Sequence, residues 1–177
     1  MTADAIVIDY GHGVDTPGKR YRFTDHNNFE CFEYLTNRIT AALLIEKLVR
    51  AGYEVYDCVA KKQWRLQDMD AAWSWGRLEQ RDVTLNARTF YANTIPNSIV
   101  LSLHSNAVGY KNAGPSLSPR GGGFYTSPGE TASDEIAELL YEAFVEAFEE
   151  GAVGGRGPRL RSTLHHADQD QDACGSG

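Results

Sequence analysis

The segment Ile6–Gly13, an apolar run that ends in Gly-His-Gly, constrains the fold more than any other part of the chain. The apolar run predicts a buried strand, and the glycines predict an abrupt turn that presents His12 at the carboxyl end of that strand. Ligands of open α/β sheets bind at this edge. We expect Gly11 and Gly13 to allow the turn and to leave space beside the imidazole. From this segment alone, a structural histidine and a ligand are equally good interpretations.

A second segment, Ser98–Asn106, is built in the same way and places His104 directly after an apolar run. The carboxyl ends of parallel strands lie along one edge of a sheet. Two histidines that are far apart in sequence can therefore meet there, which favours a shared site for His12 and His104 over two unrelated loop histidines.

Size and composition limit the class of protein. The 177 residues, 42% of them hydrophobic, suffice for one domain with its own core, and we expect a monomer. A net charge of −7 provides no basic face for nucleic acid. Three cysteines without a CxxC spacing favour a reducing compartment, and we expect Cys31 and Cys58 in the core.

No membrane segment or export signal is recognisable in the sequence. The first residues lack the basic and apolar regions of a signal peptide, and no apolar run approaches the ~18 residues of a membrane span. We therefore expect synthesis in the cytoplasm. A substrate outside the membrane would require delivery of the protein by another route.

A helix and a strand follow the first histidine. Apolar residues at three- and four-residue steps predict a helix over 29–51, which Gly52 ends. An alternating pattern predicts a strand over 53–59. Strand, helix and strand in this order predict a right-handed βαβ unit with parallel pairing.

Three charged residues in this region have both a structural and a functional interpretation. Glu30 and Glu33 fall in the first turns of the predicted helix, where the helix dipole favours a carboxylate without any further role. Arg20 lies in residues 14–28, which predict a surface loop, and it is either a substrate contact or a solvated charge.

The remaining chain predicts further helices and one more strand. The predicted features are a tryptophan-rich insertion packed on the body at 61–79, helices at 77–93 and 131–150, a loop at 107–123 and a strand at 122–127. We expect Phe90 among the inner positions of the first of these helices, and Leu139 and Leu140 in the inner stripe of the second. The fold class is therefore α/β, a single domain over residues 1–150 with a mostly parallel or mixed sheet flanked by helices. We expect the Gly-rich polar tail, residues 151–177, to be poorly ordered.

Two strand-end histidines and a carboxylate at the start of the following helix form a set typical of zinc. Three protein ligands leave a fourth position open for water, as a catalytic zinc site requires. Bound zinc lowers the pKa of water to about 7 and polarises a carbonyl oxygen, so this set predicts hydrolysis of an amide.

The sequence resembles the zinc-dependent N-acetylmuramoyl-L-alanine amidases of the Amidase_3 type. The resemblance covers residues 4 to about 126 and is carried by motifs in the same order and spacing, namely Ile6–Gly13, Glu33–Asn37, Ala51–Val55, Thr84–Arg88 with Ala92–Asn93, and Leu101–Ala107. It selects Glu33 over Glu30 and implies that His12, Glu33 and His104 bind Zn2+. It also implies peptidoglycan as the substrate, cleaved between muramic acid and L-alanine. We expect Asn106 and Arg20 to contact the substrate.

One departure from the family pattern leaves an alternative function open. Members carry a late strand with a catalytic glutamate, whereas residues 159–177 contain no glutamate and offer His165, His166 and Asp168 as titratable replacements. The resemblance therefore implies a domain without its last strand or strands. The alternatives to the amidase are a catalytically impaired module that binds zinc and peptidoglycan, and a hydrolase of another amide.

Overall fold

The computed structural model describes residues 4–17, 20–23, 29–105, 109–110, 114–115, 123–127 and 129–147. The chain divides into two compact units, one of residues 2–105 and one that begins at residue 106. The predicted tail, residues 151–177, lies outside the described residues. Within the described ranges no helix is long and apolar enough to cross a membrane.

The first unit carries the sheet. Its elements, in chain order, are β1 (Ala5–Asp9), β2 (Arg20–Phe23), β3 (Phe29–Phe32), α1 (Glu33–Arg50), β4 (Glu54–Asp57), β5 (Lys62–Trp64), α2 (Leu85–Ala92) and β6 (Ser98–Ser102). The main sheet has the order β5-β4-β1-β6, with β1 parallel to both of its neighbours and β5 antiparallel to β4. This arrangement confirms the predicted α/β class with a mixed sheet and the predicted parallel pairing around β1.

The register of the sheet brings the two histidine segments to one edge. Asp9 at the end of β1 pairs with Ser102 at the end of β6, and the Leu103 N–H donates to the Asp9 carbonyl at 2.8 Å. His12 and His104 therefore leave adjacent strands at the same carboxyl edge, as their shared sequence pattern predicts.

The helix predicted over 29–51 begins four residues later than expected. Phe29–Phe32 forms β3, which pairs antiparallel with β2 in a separate hairpin. The prediction of a plain surface loop over 14–28 was therefore wrong for residues 20–23, because their pairing partner is the stretch that we assigned to the helix. Glu30 lies in this hairpin, and Glu33 is the first residue of α1.

Helix α1 buries one face against β1 and β4 and ends as predicted. Gly52 adopts φ 90°, and its N–H donates to the Val49 carbonyl at 3.1 Å while the Tyr53 N–H donates to that of Leu48 at 3.1 Å. These bonds satisfy carbonyls of the last turn, and glycine adopts this backbone conformation without steric cost.

The tryptophan-rich insertion packs on the body of the first unit, as predicted. Trp64 in β5 is buried, and its ring meets that of Trp73 edge-on with centroids 4.8 Å apart. The Trp73 Nε1 donates to the Ala42 carbonyl on α1 at 3.2 Å, whereas Trp75 remains 41% exposed. Cys58 is buried as expected, but the prediction for Cys31 was wrong, since it is exposed on the β2–β3 hairpin.

Helix α2 is shorter than predicted and presents a different face to the core. Thr84 caps its start by accepting from the Ala87 N–H at 3.4 Å. The predicted inner position Phe90 is 75% exposed, and the buried residues are Arg88 and Ala92. Arg88 can take an inner position because its charge is paired with the buried Asp9 carboxylate. A search for apolar residues at helical steps cannot find such a position.

The second unit contains two short strands, β7 (Gly109–Tyr110) and β8 (Gly114–Pro115), and α3 (Ala132–Ala147). Helix α3 confirms the predicted late helix, and the Thr131 N–H donates to the Asp134 carboxylate at 2.9 Å. The strand predicted at 122–127 is reduced to a single bridge residue, Tyr125, among the described residues 123–127. Of the predicted inner stripe of α3, Leu139 and Leu140 are exposed.

A carboxylate lies in the core beneath the sheet edge. Asp57 is fully buried and accepts hydrogen bonds from the Tyr10 hydroxyl at 2.7 Å, the Trp64 indole at 3.2 Å and the N–H groups of Val59 and Ala60. Burial raises the pKa of Asp57, against the opposing effect of these four donors. The donors thus offset the desolvation of a group that would otherwise be costly to bury.

We predict that Tyr10→Phe lowers the free energy of unfolding by about 1–3 kcal/mol, because it leaves the buried Asp57 carboxylate one donor short. Urea denaturation measures this change. Tyr56→Phe is the matched control, since the Tyr56 hydroxyl donates to an exposed carboxylate, Glu54, at 3.3 Å. It should change stability by less than about 0.5 kcal/mol. Equal losses in both variants would contradict the account of the buried network.

Candidate metal centre

Three side chains from three elements converge at the carboxyl edge of the sheet. His12 follows β1, Glu33 begins α1, and His104 follows β6. One ligand atom from each of these residues lies within 4.8 Å of the other two. The structure therefore brings together the two histidines and the glutamate that the sequence analysis singled out.

The glutamate lies between the two imidazoles. Glu33 Oε1 is 3.7 Å from His12 Nε2 and 3.3 Å from His104 Nδ1. The two rings are nearly perpendicular, with centroids 5.1 Å apart and an interplanar angle of 80°. Each histidine thus directs one ring nitrogen towards the carboxylate, and the two nitrogens are of different kinds.

Glu33 is held in its ionised form. Partial burial favours the neutral acid, but the hydrogen bond from His104, the charges of the imidazoles and the Ser105 N–H together lower the pKa of Glu33 below its ordinary value. The Ser105 N–H donates to Oε1 at 3.1 Å. Its place at the N-terminus of α1 also favours the negative charge. The cluster therefore offers an anionic oxygen and two imidazole nitrogens, a donor set that suits a divalent cation.

The turn at Gly11-His12-Gly13 differs from our expectation that the two glycines provide its unusual backbone conformation. The left-handed backbone conformation belongs to His12 itself, at φ 57°, and not to either glycine. A Cβ on Gly11 would lie 2.7 Å from His104 Cε1, and one on Gly13 would lie 2.0 Å from the Asp82 nitrogen. Gly11 therefore leaves the space that the His104 ring occupies. Gly13 allows the backbone at Asp82 to approach the turn closely.

A buried arginine holds the turn from beneath. Arg38 on α1 donates from Nη1 to the His12 carbonyl at 2.8 Å and to the Tyr34 carbonyl at 3.2 Å. Its Nε donates to the Glu79 carbonyl at 2.6 Å. The side chain is fully buried, and the guanidinium lies over the Tyr10 ring at 5.0 Å.

A buried ion pair fixes the strand end that precedes His12. Arg88 Nη1 on α2 donates to both carboxylate oxygens of Asp9 at 2.5 Å. Asp9 also accepts from the Gly11 N–H and from the Ser102 hydroxyl, each at 3.0 Å. One carboxylate therefore ties together β1, β6, α2 and the first residue of the turn.

An asparagine one helical turn after Glu33 supports the other histidine segment. Asn37 is buried, and its Oδ1 accepts from the Ser105 hydroxyl at 3.4 Å. Ser105 thus contacts both residues of the helix, Glu33 through its N–H and Asn37 through its hydroxyl. The motif Glu33–Asn37 contains this spacing, although the sequence does not indicate what the asparagine binds.

The side chains of the two expected substrate contacts, Asn106 and Arg20, are not among those that the structure describes. Asn106 lies outside the described residues, and Arg20 is described by its backbone in β2 alone. Their roles stay predictions. Conversely, sequence reasoning missed the functions of Asp9, Arg38 and Arg88. A charged residue inside a family motif is the signal that marks two of them, Asp9 in Ile6–Gly13 and Arg88 in Thr84–Arg88.

Comparison with known proteins supports the resemblance found in the motifs. The family model that matches the chain is Amidase_3, described as N-acetylmuramoyl-L-alanine amidase, and it matches residues 6–167. Comparisons with curated proteins and with solved structures found no match.

We predict that Gly11→Ala displaces the His104 ring while the protein stays folded, because the added Cβ meets the end of a flexible side chain. Imidazole ¹⁵N–¹H spectra should show shifted His104 resonances. Gly76→Ala is the matched control, since its Cβ would meet the Ser74 Oγ at an ordinary 3.6 Å. Unchanged His104 resonances in Gly11→Ala would show that the position of the His104 ring does not depend on a glycine at residue 11.

Proposed function

This chain belongs to the Amidase_3 family, and we propose that it is a zinc-dependent amidase that cleaves the bond between N-acetylmuramic acid and L-alanine in peptidoglycan. The observation that carries this proposal is the convergence of His12, Glu33 and His104 within 4.8 Å. The family description supplies the reaction, and the cluster supplies a place on this chain where such a reaction can occur.

The donor set fits zinc better than the other common cations. Two imidazole nitrogens and one carboxylate oxygen suit a borderline metal, whereas calcium and magnesium prefer oxygen ligands alone. Among the described residues, no fourth histidine, cysteine or carboxylate joins this group. A centre held by three side chains leaves a position open, and zinc bound there polarises a carbonyl oxygen and lowers the pKa of water.

The protein's own residues would prepare this centre before the substrate arrives. The Ser105 N–H orients the Glu33 carboxylate, and the Asp9–Arg88 pair fixes the strand end before His12. The His104 side chain is 40% exposed, so the cluster opens on that side to an incoming amide. Ligands that are held in place lose little freedom when they bind a metal or a substrate.

The proposed place of action is the cell wall, where peptidoglycan is found. Arg20 and Asn106 stay our proposed substrate contacts, because Arg20 follows the segment Ile6–Gly13 and Asn106 ends the segment Ser98–Asn106. A positively charged guanidinium and an amide would suit the carboxylates and amides of the peptide stem.

A second candidate function is binding of zinc and peptidoglycan without efficient cleavage. The observation that favours it is that residues 151–177 contain no glutamate to match the catalytic one of the family's late strand. A missing proton-transfer group typically lowers a rate by ~10²- to 10⁴-fold. The two candidates differ in turnover and agree on the metal ligands.

We predict that His12→Ala, Glu33→Gln and His104→Ala each weaken zinc binding by at least about tenfold, because each removes one of three ligands. Competition with a chromogenic chelator measures the affinity. Glu54→Gln is the matched control, since Glu54 is an exposed glutamate on β4 whose one described side-chain contact is the Tyr56 hydroxyl. Full zinc affinity in any of the three ligand variants would refute the assignment of that ligand.

We predict that the protein releases new L-alanine amino termini from purified peptidoglycan, that a chelator stops the release, and that added zinc restores it. Amino-terminal labelling and identification of the freed residue measure the reaction. Sedimentation with sacculi but no release would support the binding module instead. A freed residue other than L-alanine would identify a different amide as the substrate.

A further inference from the structure

We propose that Arg38 is the positioning residue of the metal centre, which locks His12 in its left-handed backbone conformation and so directs the imidazole towards Glu33 and His104. This inference rests on the proposed function for its metal, since it assigns a role in assembling that same site. The contacts that carry it join protein groups to one another.

The conformation of His12 needs an external support. Residues with a Cβ disfavour positive φ, and glycine is the usual occupant of such positions. Here the turn has a glycine on each side, yet the positive φ of 57° falls on the histidine. A small rotation of this backbone would swing the ring away from Glu33 Oε1, which lies 3.7 Å from His12 Nε2.

Arg38 provides that support through the carbonyl of His12. Its Nη1 donates to the His12 carbonyl at 2.8 Å, and its Nε donates to the Glu79 carbonyl at 2.6 Å. The rigid guanidinium thereby joins the turn to the loop at Glu79. A lysine has a single nitrogen and cannot span both carbonyls from one position.

The Arg38 guanidinium binds backbone carbonyls and, in the part of the molecule that the structure describes, does not pair with a carboxylate. Arg38 is fully buried, and within the described part of the chain it makes no ion pair with a carboxylate. Three carbonyls and the rings of Tyr10 and Tyr34 surround it instead. Burying a cation is unfavourable unless its donors are used. Nε and Nη1 of Arg38 donate to carbonyls, whereas the buried Nη2 has no hydrogen-bond partner among the described residues.

Helix α1 carries both Glu33 and Arg38, five residues apart. The helix is a rigid element, so the carboxylate and the group that holds His12 cannot move independently. Arg38 therefore sets the position of one ligand relative to another without touching the metal position, the substrate or His104.

The test compares Arg38→Lys with Tyr10→Phe in the complete chain. Tyr10→Phe is the matched control, because it weakens the core next to Arg38 while leaving the aromatic ring beneath the guanidinium and the bond to the His12 carbonyl in place. We expect Arg38→Lys to lower zinc affinity by about 10- to 100-fold, as loss of an outer-shell partner does, and Tyr10→Phe to change it by less than about threefold. Chelator competition at a temperature where both variants are folded measures this.

A second measurement separates this proposal from the proposed function. Imidazole ¹⁵N–¹H spectra of the metal-free protein should show His12 resonances that shift in Arg38→Lys while those of His104 stay in place. If the unchanged protein fails to bind zinc, the proposed function falls, and these spectra alone decide the role of Arg38. Unaltered His12 resonances, or equal loss of zinc affinity in both variants, would overturn the proposal.

A measurement on the unchanged protein covers the case in which Arg38→Lys does not fold. A guanidinium fixed between two carbonyls should give separate, slowly exchanging Nη resonances for Arg38. Rapid averaging of these resonances would show that the side chain does not hold His12, and would overturn the proposal as well.

Discussion

The buried ion pair between Asp9 and Arg88 is the interaction on which the rest of the site depends. Asp9 ends the central strand β1, and its carboxylate accepts from α2, from β6 and from the Gly11 N–H of the turn. A charge pair in the core is stabilising when its geometry is good and its remaining lone pairs are satisfied, as they are here. The Asp9–Arg88 pair fixes the carboxyl end of β1. His12 and His104 both follow strands that end at this edge of the sheet.

Helix α1 supplies the rest of the site from a single rigid element. Glu33 faces the two imidazoles, Asn37 contacts Ser105, and Arg38 holds the carbonyl of His12. The same helix buries Ala41, Ala42, Ile45 and Val49 in the core cluster. Packing of the core therefore determines how far Glu33 lies from the two histidines, and it holds these three side chains together.

The sequence predicted the convergence of His12, Glu33 and His104 better than it predicted the residues that support them. His12 and His104 could be assigned because buried strands have a clear apolar pattern and because parallel strands end at one edge of the sheet. The β2–β3 hairpin was missed, since the apolar steps over 29–51 fit a helix and so hide the pairing of Phe29–Phe32 with Arg20–Phe23. The role of Arg38 was missed for another reason. Its charge suggests a solvated position, and its partners are backbone carbonyls that lie far away in sequence.

The central claim is that His12, Glu33 and His104 together hold one zinc ion. Anomalous diffraction at the zinc edge, from crystals of the chain grown with one equivalent of zinc, tests it most directly because it locates the ion and its ligands at once. The account predicts one strong peak bonded to a nitrogen of each histidine and to a carboxylate oxygen of Glu33. Zinc bound at other residues, or a peak that one of the three side chains does not touch, would contradict it.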